Sequence, residues 1–390
     1  MSIKKYFKSI TNSQWWAPLS LTFQERIEAN DNAGVLILYN SDADGFSSAY
    51  FIYRKLMDSC GKEPTNIYFK AVWNYDFSFD WLAKYVSDKT VSLIICLDLP
   101  IIQEPDILRN IVSTNKEILI YDHHVVPKEY VPIEGVYYFN SRILDAEKKN
   151  HPTAIISALL ADGTSDLVSE EYLIAALGLL GDQALHLYPE FYSLLQLKYG
   201  NLFDSENLWD TSFGKLTSLV NALFRANPSK EPKGIHPSLL RLVRDEMGFM
   251  DIIDVLDGQY NLRLAEAKVR DEVDYYTKKI ANDRATYSNG ELTCLVLPMK
   301  TFSVGVVATI LAKDNFSSFV AIGFNAGNRI QFELRRTDAE ERSIIDALKV
   351  QKKYFTPLTS GGHPMAAGAL IKKGEEKEFC SSFSRALGEI

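Results

Sequence analysis

The sequence has few cysteines, lacks an excess of positive charge and contains no long apolar run. Its four cysteines form no CxxC pair, which argues against a zinc cage or a disulfide framework and predicts a cytoplasmic protein. The 42 Lys and Arg residues and 50 Asp and Glu residues give a net charge of −8, which disfavours a stable complex with long nucleic acid. Apolar runs such as Leu173–Leu180 are about half as long as a membrane span, so no membrane association is expected.

Short apolar runs in the first half of the chain predict a parallel sheet. Val35–Tyr39, Leu93–Leu97 and Ile118–Tyr121 are rich in Ile, Leu and Val and lack alternation, as expected for strands that are covered on both faces. The helix-like stretches Ser47–Met57 and Ile107–Ser113 would supply the crossovers of an α/β fold. In such sheets, ligands bind at the carboxyl ends of the strands.

Acidic and imidazole side chains follow each predicted strand. Asp42 and Asp44 follow the first strand, Asp98 ends the second, and Asp122–His124 end the third. Asp182 follows a helix-like stretch that closes on a glycine. Clustered carboxylates repel one another, so folding alone does not favour them, and a cation between them is expected.

The segment DADG has alternative interpretations when taken alone. An Asp-Gly turn at a strand end is common, and a calcium-binding loop would place ligands at Phe46 and Tyr53, which cannot bind calcium. A DxDG turn also resembles that of haloacid-dehalogenase phosphatases. There, however, the turn follows the strand directly, whereas Asn40 and Ser41 intervene here.

The segment DHH carries more information, because the chain has only six histidines. Two adjacent histidines also occur as surface or core residues. Together with carboxylates, however, imidazole forms a donor set suited to Mn(II), with Fe, Co, Mg or Zn as alternatives. An aspartate beside a ligating histidine can orient the imidazole ring through its second nitrogen.

Five motifs in sequence order resemble those of the DHH phosphoesterases. They are SDADG, LDLP, DHH and GD in the first half, and SGGHPMAAG (Ser360–Gly368) near the end, where FELRR resembles a substrate-binding strand of the DHH-associated C-terminal domain. The resemblance implies a two-metal hydrolase. Asp98 would bridge the ions, His124 would act as hydrogen-bond donor or general acid, and Asp122 would orient its neighbours. The implied metal ligands are Asp42, Asp44, Asp98, His123 and Asp182, and the implied substrate-binding residues are Arg335, Ser360, Gly361, Gly362 and His363.

The sequence departs from the family pattern ahead of the first aspartate. Many members have a histidine where this chain has Leu38, and RecJ-like members have an aspartate where it has Asn40. The Asp42 metal would therefore have few ligands. We expect two Mn(II) ions, one bound weakly, with Mg(II) or Co(II) as alternatives.

The resemblance and the composition together predict four segments. A DHH domain with a parallel sheet (1–188) precedes a helical insert (189–256), a connecting helix (257–284) and a smaller α/β substrate-binding domain (285–390). Strands are predicted at Thr293–Leu297, Phe319–Phe324 and Ile330–Leu334, and the small residues Ala366–Gly368 would allow a helix to start there. The two glycines before His363 would let backbone N–H groups approach an anion.

The resemblance implies hydrolysis of phosphodiester bonds in nucleotides. The acidic chain favours a short substrate, such as a linear dinucleotide or a very short oligoribonucleotide, which would be cut to mononucleotides. The alternatives are a RecJ-like single-strand exonuclease, a cyclic-dinucleotide phosphodiesterase and a non-catalytic binding module. Base preference, cleavage polarity and oligomeric state do not follow from the sequence.

Overall fold

A computed structural model describes most of the chain as two compact units, Met1–Glu266 and Ala267–Ile390. The predicted boundaries after residues 188, 256 and 284 stay predictions. The described residues are 2–30, 33–60, 67–72, 79–124, 131–144, 151–162, 167–226, 234–282, 287–297, 304–313, 317–337, 340–362 and 365–390.

A parallel five-stranded sheet with the order β2-β1-β3-β4-β5 forms the centre of the first unit. The three predicted strands are confirmed as β1, β3 and β4. Strands β2 and β5 were missed because they lie at the sheet edges, are largely half-buried and lack a continuous aliphatic run. The strands are β1 Gly34–Asn40, β2 Ile67–Val72, β3 Val91–Leu97, β4 Glu117–Asp122 and β5 Val136–Asn140.

The register of this sheet aligns the carboxyl ends of its strands. Tyr39 pairs with Leu97, which pairs in turn with Tyr121. Asp122 pairs with Asn140 at the end of β5. The residues that follow β1, β3, β4 and β5 therefore begin along one edge of the sheet.

Helices cover both faces of the sheet. One face packs against α4 and α5, and the other packs against a larger core that contains α2, α3, α7 and α8. The predicted crossover helices are confirmed within α3 and overlapping α5. The helices of this unit are α1 Lys8–Thr11, α2 Trp16–Ala29, α3 Ala43–Cys60, α4 Phe79–Val86, α5 Pro105–Val112, α6 Ser141–Leu144, α7 Thr153–Ala161, α8 Ser169–Gly181, α9 Pro189–Tyr199, α10 Ser212–Ala226, α11 Ile235–Arg244 and α12 Phe249–Tyr260.

The predicted helical segment 189–256 is confirmed as helical and packs on the same core as the sheet. Apolar residues of α9–α12 belong to the cluster that contains Tyr39 and Phe46. The backbone N–H of Ala43 donates a hydrogen bond of 2.9 Å to Oδ1 of Asn221 in α10. The helical segment thus supplies an acceptor to the first turn of α3, beside Asp42 and Asp44.

The predicted connecting helix is observed as two helices. Helix α12 ends at Tyr260, Asn261 adopts the left-handed conformation with φ +57°, and α13 spans Leu262–Asn282. Because Asn tolerates this conformation better than most residues, it can end one helix immediately before the next begins.

The second unit contains a six-stranded mixed sheet with the order β10-β11-β9-β8-β7-β6. The three strands predicted here are confirmed within β7, β8 and β9. Residues of α13 and α14 cover one face, and α15 and α16 cover the other. The elements are β6 Tyr287–Ser288, β7 Leu292–Leu297, α14 Val304–Lys313, β8 Phe319–Ala326, β9 Arg329–Arg336, α15 Ile344–Gln351, β10 Thr359–Gly362, β11 Ala366–Lys372 and α16 Glu376–Leu387.

The expectation of a helix at Ala366–Gly368 is wrong, because these residues begin strand β11. Alternate residues Ala367 and Ala369 are buried in the core, while β11 pairs with β9 and β10. Small residues at a period of two fit a strand packed between two neighbours, and this pairing is non-local.

Among the described residues, no helix combines the length and the apolar character that a membrane crossing requires.

Candidate metal centre at the sheet edge

Asp44 lies at the start of α3 and is almost completely buried. Its Oδ1 accepts a hydrogen bond of 2.7 Å from the backbone N–H of Ala154, and its Oδ2 accepts one of 3.0 Å from that of Thr153. These N–H groups open α7, whose N-cap residue, Pro152, provides no side-chain cap. Asp44 therefore caps a helix about 110 residues further along the chain, and this capping fixes the position of its carboxylate.

Asp42 and Asn40 form a polar pair at the end of β1. Asp42 accepts a hydrogen bond of 3.0 Å from the N–H of Gly45. The side-chain amide of Asn40 donates to Asp42 at 2.5 Å and to Asp98 at 3.1 Å. A Cβ atom on Gly45 would lie 2.2 Å from the carbonyl oxygen of Asn40, so this tight turn requires glycine.

Asp98 follows β3 in a conformation that few non-glycine residues adopt. Its φ is +57°, and its backbone N–H donates to the carbonyl oxygen of Tyr121 at 2.9 Å. Non-glycine residues with positive φ are uncommon and cluster at functional sites, where the surrounding structure holds them. The backbone strain at Asp98 is consistent with a carboxylate positioned for a purpose other than folding.

His123 is the residue on which the other side chains converge. Its Nε2 lies 2.8 Å from Oδ1 of Asp98 and 3.7 Å from Oδ2 of Asp44. Its Nδ1 lies 3.3 Å from Oδ2 of Asp182. Among the described residues, two groups have ligand atoms within 4.8 Å of one another: Asp44, His123 and Asp182, and Asp98, His123 and His124.

Asp122 holds His124 rather than the candidate metal ligands. Its Oδ1 lies 2.6 Å from Nδ1 of His124 and accepts a 3.2 Å hydrogen bond from the backbone N–H of the same residue. Asn140 at the end of β5 donates a 2.8 Å hydrogen bond to the carbonyl oxygen of His124. These contacts fix both the ring and the backbone of His124.

The electrostatics of this cluster are unfavourable without a cation. Burial raises the pKa of Asp44 well above its usual value, and the charges of Asp98 and Asp182 raise it further. Burial likewise raises the pKa of Asp98, followed by the charge of Asp42. Burial also acts to raise the pKa of Asp122, but the adjacent His124 outweighs it and lowers that pKa. The cluster is thus a buried set of like charges with incomplete internal compensation.

The donor set fits one or more divalent cations. Within the described part of the chain, Oδ2 of Asp122 and Oδ2 of Asp182 are buried without a hydrogen-bond partner. Carboxylate oxygens and imidazole nitrogens are ligands that Mn(II) and related ions accept. An ion among these atoms would remove the repulsion that raises the pKa of Asp44 and Asp98.

The predicted substrate-binding residues lie in the second unit. Arg335 on β9 is half-buried, with Nη1 3.3 Å from Glu333 and Nε 3.2 Å from the hydroxyl of Thr309. Ser360–Gly362 lie in β10, and β11 separates this strand from β9. His363 lies outside the described residues, so the grouping of the whole set stays a prediction.

The structure brings together, at one edge of the sheet, every metal-ligand candidate that the sequence indicated. Three further contributors were missed: the N–H groups of α7, the amide of Asn140 and the guanidinium of Arg142. The last two follow from β5, which was not predicted as a strand. Its aromatic residues, VYYF, are the signal that could have identified it.

Residues 34–167 match a protein-family model described as the DHH family, N-terminal domain. The comparison with curated protein sequences found no match.

Several solved structures resemble the chain across nearly its full length. RecJ from Thermus thermophilus in complex with Mn²⁺ superimposes with a TM-score of 0.65 at 16% identity, covering 98% of this chain and 56% of that protein. An exonuclease RecJ bound to manganese gives 0.58 at 16% identity, covering 96% and 94%. The DHH domain of a member of a ribosomal protein family gives 0.67 at 14% identity, covering 95% and 91%. At these identities the likeness is one of fold.

Proposed function

Residues 34–167 belong to the DHH family of phosphoesterases, and on this premise we propose that the chain is a metal-dependent phosphodiesterase that hydrolyses short nucleotide substrates. The observation that carries the proposal is the convergence of Asp44, Asp98 and Asp182 on His123. The proposed substrates are linear dinucleotides or very short oligoribonucleotides, cut to mononucleotides in the cytoplasm.

The proposed site holds divalent cations through the buried cluster. Asp44, Asp98, His123 and Asp182 would hold one ion, and Asp42 would share Asp98 to hold a second, with Mn(II) favoured over Mg(II) or Co(II). When bound, such ions lower the pKa of water and offset the charge of phosphoryl oxygens. Because α7 donates two N–H groups to Asp44, its carboxylate is positioned before any ion arrives.

His124 is the proposed proton donor to the substrate. Its Nδ1 is engaged by Asp122, so Nε2 is the ring atom proposed to donate to a phosphate oxygen or to the leaving oxygen. The hydrogen bond from Asn140 to the carbonyl oxygen of His124 keeps the backbone in place while the ring acts. Asp122 is therefore a positioning residue, and His124 is the residue that touches the substrate.

The second unit is proposed to bind the nucleotide end that is not cleaved. Arg335 presents a guanidinium that can bind a phosphate in a bidentate manner, and Ser360–Gly362 offer backbone next to small side chains. His363 completes the proposed set. Arg335 is already oriented by Thr309 and Glu333, which reduces the entropy lost on binding.

A length series of single-stranded RNAs tests the preference for short substrates. We expect the highest kcat/KM on dimers and trimers, falling about tenfold or more by ten nucleotides, because a chain with net charge −8 lacks a general electrostatic hold on long strands. Release of mononucleotides with Mn(II), followed by mass spectrometry, gives the rates. Equal rates at all lengths would favour a RecJ-like exonuclease. Preferred cleavage of cyclic dinucleotides would favour that alternative instead.

Calorimetric titration with Mn(II) is expected to show one tight site and one weak site. The amide of Asn40 donates to Asp42 and Asp98, so it occupies the region where a second ion would bind. Asn40→Asp should strengthen the weak site about tenfold by supplying a carboxylate, and should destabilise the metal-free protein by adding a like charge. The exposed Asn110→Asp serves as the matched control and should change neither property. Two equally tight ions in the unaltered protein would contradict this prediction.

A further inference from the structure

Arg142 is placed at the catalytic edge of the sheet by a short chain of hydrogen bonds. It lies in α6, two residues after β5 ends at Asn140. Its backbone N–H donates to Oδ1 of Asn140 at 2.9 Å, and the amide of Asn140 donates to the carbonyl oxygen of His124 at 2.8 Å. The backbone of Arg142 is therefore anchored to the same turn that carries the two histidines.

The surroundings of Arg142 are acidic on two sides. The guanidinium is half-buried, and burial lowers its pKa, while the charges of Asp182 and Asp122 raise it. Arginine stays protonated even in such settings, so a permanent positive charge lies within electrostatic reach of carboxylates from two different elements. Burying a guanidinium is costly, so the fold must compensate this charge.

Compensation by the carboxylates alone does not explain this position. Asp182 also approaches His123, at 3.3 Å, and Asp122 already accepts two hydrogen bonds from His124. Once cations occupy the cluster, the carboxylates have other partners, and the guanidinium can donate to an anion as well. Arg142 also lies on the more open side of the site, together with Asp182 and His124, whereas Asp44 and Asp98 are almost wholly buried.

We propose that Arg142 binds the phosphoryl group that is cleaved, donating its N–H groups to non-bridging oxygens of a phosphodiester or of the phosphate product. This inference rests on the proposed function and assigns a substrate contact to a residue that none of the sequence motifs includes. A planar guanidinium can donate two parallel hydrogen bonds to a phosphate, which a lysine ammonium cannot.

Binding of inorganic phosphate to the Mn(II)-loaded full-length protein tests this proposal without requiring turnover. By calorimetry, Arg142→Gln should weaken phosphate binding at least tenfold, and Arg142→Lys should restore only part of it. Affinity for Mn(II) should stay the same or increase, because a positive charge next to Asp182 is lost. The exposed Arg109→Gln, which removes an arginine paired with Asp106 at the surface, is the matched control. Thermal unfolding of each variant verifies that it is folded.

The outcomes separate this proposal from the proposed function. If Arg142 serves only as a counter-ion, Arg142→Gln will leave phosphate affinity unchanged while Mn(II) affinity rises, and the proposal is overturned. If the unaltered protein binds phosphate through Arg142 but hydrolyses no nucleotide, the proposed function fails and the phosphate site stands. If the Mn(II)-loaded protein binds no phosphate, both are overturned.

Discussion

Asp98→Asn is expected to reduce Mn(II)-dependent hydrolysis of a linear dinucleotide by about a thousandfold or more, while the protein stays folded. Asp98 lies 2.8 Å from His123 and accepts a hydrogen bond from Asn40, so it belongs to both halves of the proposed metal centre. Asn has nearly the same shape and tolerates the positive φ at this position, so the backbone should not change. Initial rates with saturating Mn(II) measure the effect.

Thermal unfolding separates loss of catalysis from loss of structure in this variant. The metal-free Asp98→Asn protein should be at least as stable as the unaltered one, since a buried charge among like charges has been removed. The increase in Tm on adding Mn(II) should largely disappear, because the proposed bridging ligand is absent. The exposed Asp106→Asn should change neither rate nor Tm. Activity within tenfold of the unaltered protein would show that Asp98 does not hold the catalytic ions.

The stability of the first unit should decrease in acid because of His236. This residue of α11 is buried, and its ring stacks on Phe69 with centroids 4.6 Å apart and lies 5.0 Å from Phe46. Its Nε2 has no hydrogen-bond partner among the described residues. Burial lowers the pKa of His236 from an ordinary 6.5 to about 3, so the folded protein keeps the ring neutral.

The sign of the pH dependence follows from this depressed pKa. Above pH 6.5 the ring is neutral in both states and the packing contribution is complete. Between pH 6.5 and 3 the unfolded chain takes up a proton that the folded protein does not, so unfolding becomes easier as the pH falls. The loss reaches about 3 kcal/mol at pH 4, an upper estimate for a group so deeply buried.

His236→Phe is the matched control, because phenylalanine fits the aromatic surroundings and does not titrate. Urea unfolding at pH 7 and pH 4 should show that the unaltered protein loses about 3 kcal/mol more than the variant over this range. Since α11 packs against α3, which carries Asp44, protonation of His236 would also loosen one wall of the metal centre. Parallel pH profiles for the two proteins would show that His236 titrates normally or that α11 detaches first.

The candidate metal centre was predictable to the level of residues, whereas its contacts were not. Asp42, Asp44, Asp98 and His123 could be identified because each follows a short aliphatic strand, and parallel strands end at one edge. The capping of α7 by Asp44 could not be predicted, because it joins residues about 110 positions apart. Arg142 was missed because β5 is a half-buried edge strand whose sequence resembles a loop.

The sequence by itself determined the elements with strong local signals: the strands β1, β3 and β4, the helical character of residues 189–256, and the order of acidic and imidazole residues along the chain. Local hydrophobic runs and the geometry of parallel strands are sufficient for these. Only the tertiary structure decided that His123 lies among three carboxylates, that Asn40 joins Asp42 to Asp98, and that His236 lies in an aromatic cluster. Such contacts depend on how distant side chains pack and share hydrogen bonds, which no local pattern encodes.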